Sequence, residues 1–256
     1  THAEKWLNTT AIVAAGSVSQ LLITDESIVT NAIPWNEIET AGLDDLRAPL
    51  TETLHAGAER GVTRMRKLRI STSNWDVQNP FAIAWAEKYV GDRITLINNQ
   101  TKLAVREAVV DALKQGKNSD ELQRVVRQHV GLNARQSKAL TNRELKLRAG
   151  GASEKIIKGQ TDLYRRQLIK QRAEMIARTE TAAAWAEGNI ASYRDAGVEY
   201  KEFSAANDAC PICFPLDGKV YAIGSSEVVI PRHVSCRCDW LPVIETPVIN
   251  ETQVIG

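Results

Sequence analysis

The most constraining feature of this chain is the position of its cysteines. All four fall between residues 210 and 238 of a 256-residue chain. The first two form Cys210-Pro-Ile-Cys213, and after nineteen intervening residues the sequence reads His233-Val-Ser-Cys236-Arg-Cys238. Two thiolates separated by two residues can bind one cation from a single turn, and a Cys or His pair from a second loop completes a tetrahedron. The spacing therefore predicts a structural zinc site that joins two loops.

Five candidate ligands are present for four positions around such an ion: Cys210, Cys213, His233, Cys236 and Cys238. We favour the set without Cys238, because His233-x-x-Cys236 repeats the spacing of the first pair. Cys238 is an alternative to His233 or Cys236, since the single intervening residue allows both flanking sulfurs to face one way. Disulfide pairing and buried free thiols remain open, although a neighbouring histidine has no role in a disulfide.

Apolar residues recur at intervals of three and four through the first 200 residues, which predicts helices. Asn118 with Glu121 three residues later predicts a capped helix start. A long helical pattern begins near Asp162 and ends at Gly197, a residue suited to closing a helix. Because this length is unusual for one globular helix, we expect a break near Ala173.

The pattern changes after Gly197. Residues 198–203 alternate apolar and charged side chains, Asp217-Gly218 is a turn signal, and residues 238–244 form another short apolar segment. The sequence predicts an α+β fold: a predominantly helical body with a small C-terminal β module stapled by the Cys/His cluster. We divide the chain into an N-terminal helical region where contact with a partner is expected (1–78), a helical body (79–197) and the β module (198–256).

Charge is nearly balanced overall, with 32 Lys and Arg against 31 Asp and Glu, but it is unevenly distributed. Between residues 135 and 172 there are eleven basic and three acidic residues. Such a cluster can bind a polyanion such as DNA without reading its sequence, and a solvated helix face is the alternative. The candidate DNA-contacting residues are Arg143, Lys146, Arg148, Lys155, Lys158, Arg165, Arg166, Lys170 and Arg172.

Membrane insertion and secretion are not indicated. The longest apolar runs are four or five residues, and residues 1–19 lack the basic start and apolar core of a signal peptide.

Three ordered motifs resemble the phage head-morphogenesis family, the Mu protein F-like minor capsid proteins. They are Ile-Ala-Arg178-Thr179-Glu180-Thr, the segment from Asp208 through Asp217-Gly218 to Tyr221, and the His/Cys motif that ends at Cys238. The resemblance covers roughly residues 79–243. Family members often carry His at the position of Cys213, an exchange that is easier to understand between two metal ligands than between disulfide partners.

The resemblance implies a structural virion protein of a tailed bacteriophage. It is expected inside the capsid near the portal, after assembly in the host cytoplasm, with the portal and other head proteins as partners and with non-specific contact to packaged DNA. Arg178, Thr179 and Glu180 are expected to support the β module through hydrogen bonds, and Asp217-Gly218 to form a turn without a catalytic role. Some relatives carry a toxin or enzyme domain after this module, whereas only residues 245–256 follow here, so we expect no enzymatic activity.

A zinc-dependent enzyme acting on nucleic acid, or a toxin module, is the alternative function. It requires a general acid or base beside an open metal position. Glu227, Asp208 and Asp239 are the nearby carboxylates that the sequence offers for that role.

Overall fold

A computed structural model describes residues 2–18, 27, 31–72 and 80–244. The predicted α+β class is confirmed within these residues. Within the described residues six helices precede a small sheet: α1 (His2–Val18), α2 (Trp35–Lys67), α3 (Pro80–Lys114), α4 (Ser119–His129), α5 (Ala134–Ala149) and α6 (Glu154–Asp195). The strands are β1 (Tyr200–Ser204), β2 (Val220–Ala222) and β3 (Asp239–Val243). The predicted boundary at residue 78 and the tail at 245–256 lie outside the described residues.

The start of α4 is determined by the side chains of Asn118 and Glu121. The Asn118 side chain accepts a hydrogen bond from the Glu121 N–H at 3.1 Å, and the Glu121 carboxylate accepts from the Asn118 N–H at 2.9 Å. The predicted capping box is therefore confirmed. It satisfies two N–H groups that have no partner within the helix, and such a cap stabilises a helix by about 1 kcal/mol.

Helix α6 is continuous from Glu154 to Asp195, so the predicted break near Ala173 is wrong. Ala173 is fully buried, and the neighbouring Arg172 guanidinium donates to the carbonyl oxygens of Gly131 and Ile97. Tertiary contacts thus stabilise the helix at the position where its length alone suggested an interruption. The predicted stop is confirmed, because Gly197 adopts a φ of 74° just after the helix.

The chain forms two compact units, and each combines two stretches of sequence. The first contains Thr1–Leu46 and Gly91–Glu174, and the second contains Arg47–Val90 and Met175–Gly256. The three-part division proposed from sequence stays a prediction.

The first unit is all helical in its described part. Trp6 anchors α1 on α2, where its indole Nε1 donates to the Ile38 carbonyl oxygen at 2.8 Å. The ring lies so close to Gly42 that an added Cβ there would come within 2.6 Å of it. Leu122 and Val126 of α4 are fully buried, which gives α4 the apolar face that its sequence predicted.

The second unit combines helix segments with an antiparallel sheet in the order β2-β1-β3. Phe203 of β1 pairs with Trp240 of β3, and the Trp240 ring makes edge contacts with Phe203 and Tyr221 at centroid distances of 5.4 and 5.8 Å. This aromatic group shares one hydrophobic core with α2 and α6 residues and with three cysteines. The core includes Val62, Met65, Ile190, Tyr193, Cys213, Cys236 and Cys238.

Among the described residues, no helix combines the length and the apolar composition needed to cross a membrane.

Candidate metal centre and basic surface

Two backbone turns, each closed by a hydrogen bond between its first and fourth residues, carry the predicted ligands. In the first, the N–H groups of Cys213 and Phe214 donate to the Cys210 carbonyl oxygen at 3.0 and 2.9 Å. In the second, the Cys236 N–H donates to the His233 carbonyl oxygen at 3.1 Å. Each pair that the sequence spacing treated as equivalent therefore occupies the first and fourth positions of a turn.

The structure brings all five candidate ligands together in two overlapping groups. Cys210, Cys213 and His233 form the first, and Cys213, Cys236 and Cys238 form the second. Within each group the potential ligand atoms all lie within 4.8 Å of one another. Cys213 belongs to both groups and therefore occupies the centre of the cluster.

The shortest described distances in the cluster fit a tetrahedral ion. Ligands around tetrahedral zinc lie about 3.8 Å apart for two sulfurs and roughly 3.5 Å apart for a sulfur and a nitrogen. The Cys213 and Cys236 sulfurs are 3.9 Å apart, and the Cys210 sulfur lies 3.2 Å from His233 Nε2. All four cysteines are free thiols. The chemistry of the donors therefore fits zinc, and Cys213 is common to both groups, whereas the four ligands favoured from the sequence are divided between the two groups.

The orientation of His233 suits ligation through Nε2. Its other ring nitrogen, Nδ1, lies 2.9 Å from the Val234 carbonyl oxygen, which can only accept a hydrogen bond. A proton on Nδ1 leaves the Nε2 lone pair facing the Cys210 sulfur. Metal-bound histidines generally donate their second ring N–H to a carbonyl or carboxylate in this way.

The thiol environments differ across the cluster. Backbone hydrogen bonds at Cys213 and Ile212 lower the pKa of the Cys210 thiol, whereas burial raises the pKa of Cys213 and of Cys238. Buried thiolates carry a charge that has lost its hydration, so they form readily only beside a compensating cation. A bound dication would supply that compensation.

Residue Thr179 of α6 supports the second turn. Its hydroxyl donates to the Met175 carbonyl oxygen at 2.7 Å and accepts from the Ser235 N–H at 3.1 Å. Ser235 has a φ of 59°, a left-handed conformation that costs a non-glycine residue energy. The hydrogen bond therefore holds the strained residue between His233 and Cys236.

The other two residues of this α6 motif have different surroundings. Glu180 is buried and accepts a 2.7 Å hydrogen bond from the Tyr89 hydroxyl of α3, whereas Arg178 is exposed. The expected hydrogen bonding to the β module is thus observed for Thr179.

Asp217-Gly218 forms a turn that closes on β1. The Asp217 carboxylate accepts from the Ala205 N–H at 2.8 Å, and the Gly218 N–H donates to the Phe203 carbonyl oxygen at 2.9 Å. Gly218 has a φ of 73°, which explains the glycine at this position. Both residues serve to fix the loop that follows Cys213.

A polar network beside the cluster was not predicted. The Asp239 carboxylate accepts hydrogen bonds from the Arg64 guanidinium at 2.7 Å and from the Asn189 side-chain amide at 2.8 Å. The same guanidinium also donates to the Tyr193 hydroxyl and to the Trp240 carbonyl oxygen. No local pattern pairs residues 175 positions apart, so tertiary structure alone reveals this contact.

The three carboxylates considered for acid–base catalysis have different surroundings. Asp239 is held in that network, and Glu227 is exposed. Asp208 pairs with Arg237 at the surface, and this hydrogen bond lowers the pKa of Asp208. General acid–base catalysis needs a group whose pKa lies near the operating pH, so Asp208 is shifted in the wrong direction.

Two predicted DNA-contacting arginines form hydrogen bonds inside the first unit. Arg172 is 2% exposed and donates to the carbonyl oxygens of Ile97 and Gly131 and to the Thr101 hydroxyl. Arg165 donates to the carbonyl oxygens of Gln128 and Val130, where α4 ends. The prediction is therefore wrong for Arg172, because it is buried and its donors satisfy oxygens of α3 and of the segment after α4. Arg165 is half-buried, and its contact with DNA stays a prediction.

Arg148 is exposed and forms ion pairs with Glu144 and Glu154, and its contact with DNA stays a prediction. The remaining predicted cations are exposed on α5 and α6 and form what we call the basic surface: Arg143, Lys146, Lys155, Lys158, Arg166 and Lys170.

Comparison with known proteins identifies the family of this chain. The family model described as phage Mu protein F like protein matches residues 103–241, more than half of the chain. The matched region runs from α3 through the complete Cys/His cluster to β3. Searches of curated proteins and of solved structures give no significant match. The chain therefore belongs to the phage Mu protein F like family of phage head-morphogenesis proteins.

Proposed function

We propose that this protein is a non-enzymatic minor capsid protein whose C-terminal β module is held together by one zinc ion. It acts in head assembly inside the capsid near the portal, and its basic surface contacts packaged DNA. The observation that supports this most directly is the convergence of five Cys and His ligand atoms around Cys213, inside the region that matches the family. The N-terminal helical region (1–78) is proposed to contact the portal or another head protein.

The zinc ion is a structural element in this proposal. The β module has three short strands, and the two turns that carry the cluster are joined to it by long loops. Small modules of this kind bury too little apolar surface to be stable alone, and a bound metal contributes folding free energy directly. Three of the five ligands are buried, and a closed set of protein ligands leaves no position for an activated water.

Metal analysis of the reduced, purified protein tests this role. We expect about one zinc per chain, as structural sites with four protein ligands hold one ion. Chelation should lower the thermal unfolding temperature of the protein. Less than half an equivalent of zinc, or an unchanged unfolding temperature after chelation, contradicts the proposal.

Contact with DNA is supported by the basic surface on α5 and α6. Phosphate contacts release counterions, so affinity should fall linearly on a log–log plot against salt concentration. The Arg166→Glu/Lys170→Glu variant should bind duplex DNA more weakly than the parent. Reversal of two exposed cations elsewhere, Arg47→Glu/Lys88→Glu, is the matched control. Equal losses in both variants contradict a localised DNA surface.

Position near the portal is tested in the intact virion. A reconstruction of the phage head without imposed symmetry should place this chain, in few copies, at the portal vertex. Density for it throughout the icosahedral shell overturns that placement.

Nuclease and deaminase assays with the zinc-loaded protein test the absence of catalysis. Turnover that is abolished by Asp208→Asn or Glu227→Gln supports the enzyme alternative instead.

A further inference from the structure

The groove between α5 and α6 has a composition unlike the rest of the basic surface. We define this α5–α6 groove by its polar and aromatic lining residues, which are Asn142, Arg143, Lys146, Gln160, Tyr164 and Gln167. Its volume is about 590 Å³. Among the described residues that line it there is no carboxylate, so its two cations face an approaching phosphate without a competing negative charge.

The geometry points to a binding site for an unpaired nucleic-acid strand in this groove, an inference that rests on the proposed contact with DNA. Duplex DNA presents phosphates to a protein surface, but its bases are stacked and paired. An unpaired strand offers base faces and base edges as well. Proteins that bind such strands combine a positively charged groove with aromatic side chains on which bases stack.

Each part of the groove matches one part of a nucleotide. Arg143 and Lys146 supply the phosphate contacts, and the half-buried Tyr164 ring supplies a surface for base stacking. The three carboxamides, on Asn142, Gln160 and Gln167, can both donate to and accept from base edges. The Arg143 guanidinium donates to Gln160 Oε1 at 3.2 Å, which joins α5 and α6 across the groove.

A neighbouring groove on the same unit provides the contrast. It has a similar volume, about 500 Å³, and is lined by Lys155 and Lys158 among other cations. Three carboxylates also line it: Glu121, Glu144 and Glu154. It offers no aromatic side chain among its described lining residues. The five cations of that groove thus face three carboxylates, and no stacking surface lies beside them.

The test is fluorescence anisotropy of the full chain with labelled oligothymidylate and with a duplex of the same length. Tyr164→Ala should weaken oligothymidylate binding by about tenfold, the usual effect of losing one stacked base, and leave duplex binding unchanged. Tyr164→Phe keeps the ring and should bind both as the parent does. Arg143→Ala/Lys146→Ala should weaken oligothymidylate binding more than Lys155→Ala/Lys158→Ala.

A second variant guards against unfolding of Tyr164→Ala. Gln167 is exposed, so Gln167→Glu should fold normally and weaken oligothymidylate binding by placing a carboxylate in the groove. If Tyr164→Ala or Gln167→Glu binds oligothymidylate as tightly as the parent, the groove inference is overturned while duplex binding still supports DNA contact. If the parent binds neither DNA, both the inference and the proposed DNA contact fail.

Discussion

The hydroxyl of Thr179 accepts a hydrogen bond from the N–H of Ser235, which lies 56 residues later in the chain. Ser235 stands between two candidate zinc ligands. One hydroxyl thereby links helix α6 to the turn that presents His233 and Cys236. Thr179→Val keeps the shape and removes the bond, which should cost about 1 kcal/mol of unfolding free energy. Zinc affinity, measured by competition with a chromophoric chelator, should fall as well.

Thr179→Ser retains the hydroxyl and is the matched control for that experiment. It should bind zinc nearly as the parent does. Equal zinc affinity in the valine and serine variants would show that the hydrogen bond does not position the ligands.

Cys213 should be the least replaceable ligand because it belongs to both ligand groups. Cys213→Ser is expected to abolish tight zinc binding, whereas Cys210→Ser and Cys238→Ser each alter only one group. Zinc content after gel filtration and competition titration measure the difference. A Cys213→Ser protein that retains a full equivalent of zinc would refute the central position of this thiol.

Gly188 of α6 lies against the backbone of α2. An added Cβ would lie 2.1 Å from the Leu54 carbonyl oxygen and 2.8 Å from the Ala58 nitrogen. Backbone atoms cannot move aside as a flexible side chain does, so Gly188→Ala should destabilise the protein by about 3 kcal/mol. Urea denaturation measures this loss.

Gly159 lies on the same helix with no atom within 4 Å of an added Cβ, which makes it the control for Gly188. Gly159→Ala should stabilise the protein by about 1 kcal/mol through helix propensity alone. Destabilisation of both variants would mean that the close helix contact at Gly188 is not the cause.

Stability should fall in mild acid because of His129. Burial, with smaller effects from Lys117 and Arg165, lowers the pKa of this side chain to about 4. The unfolded state, with a histidine pKa of about 6.5, takes up the proton first as pH falls. The resulting loss of unfolding free energy begins near pH 6.5 and reaches about 3 kcal/mol at pH 4.

Urea denaturation at several pH values measures this dependence. His129→Gln does not titrate and should show a correspondingly shallower decline between pH 7 and pH 4. Since zinc loss in acid affects both proteins, the difference between the two curves isolates His129. Parallel curves would rule out the proposed linkage.

Local features of this protein were readable from sequence because they depend on neighbouring residues. The helix start at Asn118, the stop at Gly197, the turn at Asp217-Gly218 and the positions of β1 and β3 all follow from backbone preferences and side-chain periodicity. The spacing of the Cys and His residues also indicated that two turns would present one set of ligands.

Tertiary structure decided how distant residues are used. Sequence assigned Arg172 to DNA, yet it satisfies carbonyl groups of other segments, and Arg64 finds its partner in Asp239. A guanidinium has the same charge in every sequence context. Whether it meets phosphate, carboxylate or a helix end depends on which surfaces the folded chain buries, and that is set by packing between segments far apart in the sequence.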